Sequence, residues 1–322
     1  MTADIPTIAV TGAAGYIGSC VVDKLTAAYP DWEVTALDNF YLGDVRAIGD
    51  VTVEHVDVRD RGRVEEAFAG ADIVMHLAAL SGVPDCENRQ DLAYEVNVQG
   101  TENVAWYCRK TGTGLVFPFS MATVGDPEAF PITVDHSRNP LNWYGRTKLL
   151  NEHAIEDLAD GTFPAHLFLK SNLYGDHEID GERVSKGTVT NFFLDRALAG
   201  ETLTVYEPGS QSRNYIHVED VARAYVRSAE RMVDQLAAGD TGVEKYELGS
   251  DEDPSVMAIA ELVARVASEE RDVEVDVELV ENPRSGETLV DRFPVDTTRT
   301  RETLGWSVEH SLEDTVRERL QT

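Results

Sequence analysis

The chain has 322 residues, 42% of them hydrophobic, enough to bury a full core as one large domain with a lobe or as two closely joined domains. Its 58 acidic residues outweigh 28 basic ones and leave a net charge of −30. Such a field repels nucleic acid and anionic membranes, so neither is expected as a partner.

No acidic tail holds the excess charge, which must therefore spread over a folded surface. Only six of the basic residues are lysines. An acidic surface short of lysine resembles those of proteins from salt-loving organisms, where salt screens the repulsion between carboxylates. Cys20, Cys86 and Cys108 are irregularly spaced and form no C-x-x-C pair. They read as buried apolar residues in a reducing compartment, and no metal site is expected. Without a basic, apolar leader or a run approaching the ~18 residues of a membrane span, the chain reads as soluble and cytoplasmic.

The first element is an apolar β-prone run, Ile8 to Val10, feeding a turn with Gly12, Gly15 and Gly18 that opens an amphipathic stretch from Tyr16 to Ala28. Strand, glycine turn and helix make half of a dinucleotide-binding βαβ unit, with a pyrophosphate resting on the helix N-terminus. Strands are then predicted at Val34–Asp38, Thr52–Asp57, Asp72–Ala78, Gly114–Ser120 and Ala165–Ser171. Helices are predicted near Arg63–Phe68, Leu92–Lys110 and Tyr144–Leu158. This alternation predicts an α/β fold, a Rossmann-type doubly wound parallel sheet covering residues 1–172. Beyond Tyr174 the pattern loosens. Helices are expected at Val189–Ala199, Val218–Met232, Ser255–Glu269 and Ser311–Leu320, with short strands near Leu203–Tyr206 and Val273–Val280. They predict a smaller C-terminal α/β substrate lobe over 173–322, with the segment around 212–232 returning to the first domain.

Asp38 ends the second predicted strand, twenty residues after Gly18. A carboxylate there can accept from ribose hydroxyls and opposes a 2′-phosphate, and no arginine follows until Arg46, which favours NAD over NADP. Tyr144 and Lys148 stand four apart at the start of a predicted helix, on one face. A nearby ammonium and an oxidised nicotinamide can lower a phenol's pKa. Ser120, twenty-four residues earlier, ends a strand at the carboxyl edge, where substrate would lie.

The glycine turn, Asp38, Ser120, Tyr144 and Lys148, in this order and spacing, resemble the extended short-chain dehydrogenase/reductases. The resemblance narrows to the nucleotide-sugar epimerase/dehydratase family, and within it to UDP-glucose 4-epimerase-like members. It rests on Ser-Asn-Leu-Tyr-Gly around Asn172, on Gly209 to Asp220 around Arg213, and on Arg-Ser-Gly-Glu from Arg284. It implies Ser120, Tyr144 and Lys148 as catalytic residues. It implies Gly12, Gly15, Tyr16, Ile17, Gly18, Asp38, Asn39, Asp57, Val58, Leu77, Ala78, Ala79 and Asn97, with Tyr144 and Lys148, as the NAD site. It implies Ser120, Asn172, Arg213 and Arg284 as substrate contacts, each guanidinium able to fork onto a diphosphate. His76 reads more readily as a packed strand residue.

Family dehydratases carry an acid pair after the serine position, where this chain has Met121 and Ala122, so dehydration is not expected. The expected activity is NAD-dependent 4-epimerisation of a nucleotide sugar through a transient 4-keto intermediate. The alternatives are a net dehydrogenase or reductase and a non-catalytic NAD-binding regulator. Val124, Leu169 and Lys170 depart from the family pattern. The helices Leu92–Lys110 and Tyr144–Leu158 resemble the pair through which the family dimerises, so a homodimer is expected.

Overall fold

The computed structural model describes residues 5–283 and 288–321. Its main body begins with β1 (Thr7–Thr11), α1 (Tyr16–Ala28), β2 (Glu33–Asp38), β3 (Ala47–Ile48), β4 (Val51–His55), α2 (Arg61–Ala67) and β5 (Ile73–His76). It continues through α3 (Val83–Asn88), α4 (Gln90–Ala93), a π-helical turn (Tyr94–Gln99), α5 (Gly100–Thr111), β6 (Gly114–Ser120), α6 (Trp143–Ala159) and β7 (Pro164–Lys170). After three short strands, β8 (Asn172–Tyr174), β9 (His177–Ile179) and β10 (Glu182–Val184), come α7 (Val189–Leu198), β11 (Leu203–Tyr206) and β12 (Tyr215–His217). The chain ends with α8 (Val218–Ala238), β13 (Gly242–Leu248), α9 (Val256–Arg271), β14 (Val277–Val280), α10 (Thr298–Leu304) and α11 (Leu312–Gln321).

Eight strands form one sheet in the order β13-β7-β6-β5-β1-β2-β4-β3, parallel except for the β3–β4 pair. It is the Rossmann-type α/β sheet that the alternation predicted. Ile8, Ala9 and Val10 are buried, as strands covered on both faces must be. One face packs α1 and α8 through Val21, Leu25, Tyr225 and Met232. The other packs α2, α5 and α6 through Val64, Val104 and Ile155. The strand order reverses direction between β1 and β5, which opens a crevice at their carboxyl ends. A separate apolar cluster of α7, α9, α11 and β11, built on Phe193, Leu203, Val263 and Val316, stands beside that edge.

The differences from the sequence reading have local causes. The stretch Leu92–Lys110 is not one regular helix, because the π-helical turn Tyr94–Gln99 interrupts it and turns buried Asn97 toward the chain after β5. Helix α8 runs past Met232 to Ala238 and stops where Gly239 takes a left-handed φ of 73°. Strand β14 keeps only Val277–Val280 of the expected Val273–Val280. The edge strand β13 has no counterpart among the predicted elements. Its Glu244, Lys245 and Glu247 hide a strand that pairs parallel with β7 over seven residues. Those charges are internally matched: Lys245 reaches Glu152 and Glu156 at 2.6 Å, and buried Glu152 also holds Arg138. Cys20, Cys86 and Cys108 are free and buried, as expected.

Candidate active site

The crevice widens into a cleft of about 1260 Å³, bounded by the carboxyl ends of β1, β2, β5, β6 and β7 on one side and by the lobe on the other. Small-molecule pockets commonly run from about 300 to about 1,000 Å³, so this cleft lies above the usual size of a site for one small ligand.

Its floor is the glycine turn. Gly12 has φ +72°, and a Cβ there would lie 2.7 Å from the Ala78 nitrogen. A Cβ on Gly18 would lie 2.0 Å from the Gly12 oxygen. Both contacts are with backbone and cannot yield, so these positions admit only glycine. Gly15 caps α1, whose free N–H groups and dipole make an anion site above this cradle. The turn, helix N-terminus and strand-end carboxylate fit a dinucleotide. Gly18→Ala is therefore expected to abolish retention of NAD through purification. Wild-type-like NAD content in that variant, by absorbance after acid release, would contradict the fit.

Asp38 lines the cleft, and its carboxylate already accepts from Ala14 N at 3.1 Å and Phe40 N at 2.7 Å. A carboxylate has acceptor capacity left for a ribose hydroxyl. Burial raises its pKa, against those bonds and Arg46. Gly12, Gly15, Tyr16, Ile17, Gly18, Asn39, Val58, Leu77, Ala78 and Ala79 all face the cleft. Two residues of the expected cofactor set do not line it. The Asp57 carboxylate is held by Arg59, which is the largest reason its pKa falls to about 2, while Val56, Val58 and Arg59 form the wall there. Asn97 is buried behind the cleft wall. Its amide accepts from Leu80 N at 2.8 Å and donates to Leu80 O and the Thr147 hydroxyl, tying the chain after β5 to α6. Buried His76 bridges the hydroxyls of Thr11 and Thr101, the packed strand residue expected of it.

The reacting face is built by β6 and α6. Asn142 caps α6 by accepting from Gly145 N, which fixes the first turn carrying Tyr144. Gly145 sits so close to the Ala122 oxygen, 2.4 Å from where a Cβ would be, that the helix start is pressed against the end of β6. Ser120 and Tyr144 both line the cleft here, and the serine hydroxyl lowers the phenol's pKa. Burial outweighs this and lifts the Tyr144 pKa to about 12. Holding a phenolate at pH 7 then costs about 7 kcal/mol, so the protein alone keeps the phenol protonated. Lys148 lies one turn on, buried, its Nζ donating to Pro118 O at 3.2 Å and lying 4.6 Å from the Phe117 ring centre. Desolvation lowers its pKa to about 8.

On the lobe side, Asn172 and Arg213 face the same cleft. The Arg213 guanidinium is steadied by the carbonyls of Ser212 and Thr288 at 2.7 and 2.6 Å. Arg284 lies outside the described residues. Sequence reasoning misses Lys186 and marks Lys170 only as a departure from pattern, yet both line the cleft. Their signal is scarcity, since three of only six lysines converge here.

The family model "NAD dependent epimerase/dehydratase family" matches residues 8–242. The chain belongs to this family. A UDP-glucose 4-epimerase of Bacillus subtilis is 30% identical over 333 residues, covering 95% of this chain and 94% of the relative. A putative UDP-glucose 4-epimerase of Methanocaldococcus jannaschii is 28% identical, covering 96% of each. Among solved structures, the Thermus thermophilus UDP-glucose 4-epimerase complex with NAD superposes with TM-score 0.80 at 26% identity, covering 98% of this chain and 97% of that one. The family is NAD-dependent. The glycine turn and Asp38 form one end of this cleft.

Proposed function

We propose that this protein is an NAD-dependent nucleotide-sugar 4-epimerase. The observation that carries the reading is that Ser120, Tyr144 and, one helical turn on, Lys148 line one wall of a single cleft whose other end is a glycine cradle. The relatives named as UDP-glucose 4-epimerases support it along nearly the whole chain.

Gly12, Gly15, Gly18, Asp38 and the α1 N-terminus would hold NAD. Bound there, it supplies the two-electron acceptor and donor that leave no net redox change, and its oxidised ring adds positive charge. Tyr144 Oη would take the proton of the sugar C4 hydroxyl as C4 gives up hydride, and would return it to the same oxygen once the 4-keto sugar has turned in the cleft and C4 has regained hydride on its opposite face. Ser120 shares that proton, and the Lys148 ammonium favours the phenolate. Asn172 and Arg213 are placed to hold the nucleotide diphosphate, Arg213 with its guanidinium pre-oriented by two carbonyls.

Elimination of water is a poor fit. Met121 and Ala122, which follow Ser120 in a 3-10 turn, have no titratable atom to move a proton from a neighbouring carbon. The test incubates the NAD-loaded protein with UDP-, GDP- and dTDP-hexoses in high salt, separates the sugars and follows absorbance at 340 nm. A 4-epimer without net NADH is expected. NADH accumulating in step with substrate would replace this reading by a net dehydrogenase.

Exposed Tyr94, Trp106 and Leu150, on the π-helical turn, α5 and α6, support a homodimer through that face. Light scattering should then give twice the 35.5 kDa chain mass, and a monomer at micromolar concentration would refute it.

A further inference from the structure

Lysine is scarce in this chain, and the six lysines divide by environment. Lys24, Lys110 and Lys245, outside the cleft, each form an ion pair with glutamate: Lys24 with Glu219 at 2.9 Å, Lys110 with Glu65, and Lys245 with Glu152 and Glu156. Lys148, Lys170 and Lys186 line the cleft. Among the described residues, none of these three has a carboxylate within 4.0 Å. In a protein with thirty surplus negative charges, such a gap requires a reason. Carboxylates are available to neutralise lysines almost everywhere else.

The position of Lys170 narrows that reason. It is the last residue of β7, paired in register with Ser120, the last residue of β6. The residue is half-buried, and its Nζ donates to the Ser171 carbonyl at 3.4 Å. Burial, with Lys186 and Lys148 nearby, pulls its pKa down to about 7. Lys186 lies on the strap between β10 and α7, on the lobe side of the cleft, and donates to the Ser81 hydroxyl at 2.7 Å. Asp85 faces it at longer range. The two lysines therefore line the cleft from sheet and lobe, Lys170 beside Ser120, whereas Arg213 serves the diphosphate in the function proposed above.

We propose that Lys170, assisted by Lys186, forms an anion subsite for a carboxylate on the sugar ring, so that the preferred substrate is a nucleotide hexuronate rather than a neutral nucleotide hexose. This inference rests on the nucleotide-sugar reading. A carboxylate between the two ammoniums relieves the repulsion among three cations and restores the charge of Lys170. A neutral hexose leaves that repulsion in place. The subsite also selects against neutral sugars, because a desolvated cation left unpaired opposes their binding.

The experiment compares UDP-glucuronate with UDP-glucose on the full-length NAD-loaded protein, as wild type, Lys170→Met, Lys170→Arg and Lys186→Met. The ratio of kcat/KM for uronate over hexose should be at least about 10 in wild type, the discrimination that one hydrogen bond to a charged group commonly supplies. It should collapse toward one in Lys170→Met, fall in Lys186→Met and persist in Lys170→Arg. A wild-type ratio near or below one, or a ratio that Lys170→Met leaves in place, overturns the subsite. Calorimetric binding of both nucleotides to the NAD-loaded Tyr144→Phe protein separates the two readings. Preference for the uronate in binding, with no epimer formed by the wild type, would sink the epimerase assignment and keep the subsite. Epimerisation of both sugars without preference would do the reverse.

Discussion

Replacing Tyr144 by Phe is expected to lower kcat by about 10²–10⁴-fold, the usual worth of a positioned acid–base group. KM and NAD content should change little. The hydroxyl is the only group removed, and the ring keeps its packing with Leu80, Cys86 and Ala93. The effect should be large because burial has raised the phenol to about 12, so little of it ionises without the cofactor's charge. The proton transfer is then concentrated in the loaded complex. Lys148→Met tests the same logic from the other side. Losing the ammonium should lower kcat and move the acidic limb of the pH profile upward, because the phenolate becomes harder to form. Initial rates from pH 6 to 9, with NAD content measured on each sample, would check both. A Tyr144→Phe protein retaining a tenth or more of wild-type kcat would remove Tyr144 from the chemistry.

The second large effect concerns stability in mild acid. Four buried histidines are kept neutral by desolvation: His76 is held at about 3, and His166, His177 and His217 at about 4. An unfolded histidine titrates near 6.5. Between pH 6.5 and 4 the unfolded chain therefore binds protons that the native protein refuses, and stability falls as pH falls. Each group contributes up to about 1.4 kcal/mol per pH unit, so the four together approach about 5. His310 works in the opposite sense. Its bond to the buried Asp220 carboxylate raises its pKa, giving stability that is full below 6.5 and lost as pH rises through the higher value. The net is a loss on acidification, by about three protons or more at its steepest. Urea midpoints from pH 7 to 4.5, in molar KCl to screen the surface carboxylates, would measure it. A slope below one proton would mean that these histidines already bind protons in the native state.

The histidines also show where sequence reading stops. All eight histidines look alike in the chain. Desolvation of His76, His166, His177 and His217 comes from neighbours far along the chain, such as Thr101 for His76, Ser228 and Gln235 for His166, and Ser19 for His177. Asp57 and Asn97 make the same point within the candidate site. Both stand where the family resemblance puts cofactor contacts; in the fold Arg59 also pairs with the Asp57 carboxylate, and Asn97 ties the chain after β5 to α6, partners that the resemblance does not record. Side-chain partners are chosen in three dimensions, and spacing along the chain does not record them.

By itself the sequence determined what is local or periodic. The glycine turn is local, because backbone approach at Gly12 and Gly18 admits no Cβ. The parallel α/β order follows from alternating apolar runs and helical stretches, and the Tyr144–Lys148 face follows from one helical turn. Tertiary structure decided the rest. It alone made Gly242–Leu248 a strand, since its charged residues find Glu152, Glu156 and Val134 only in the folded sheet. It alone set Ser120 beside Lys170 and brought Lys186 across from the lobe. Register between parallel strands joined by long crossovers is fixed by packing of the whole sheet, and no stretch of sequence carries it.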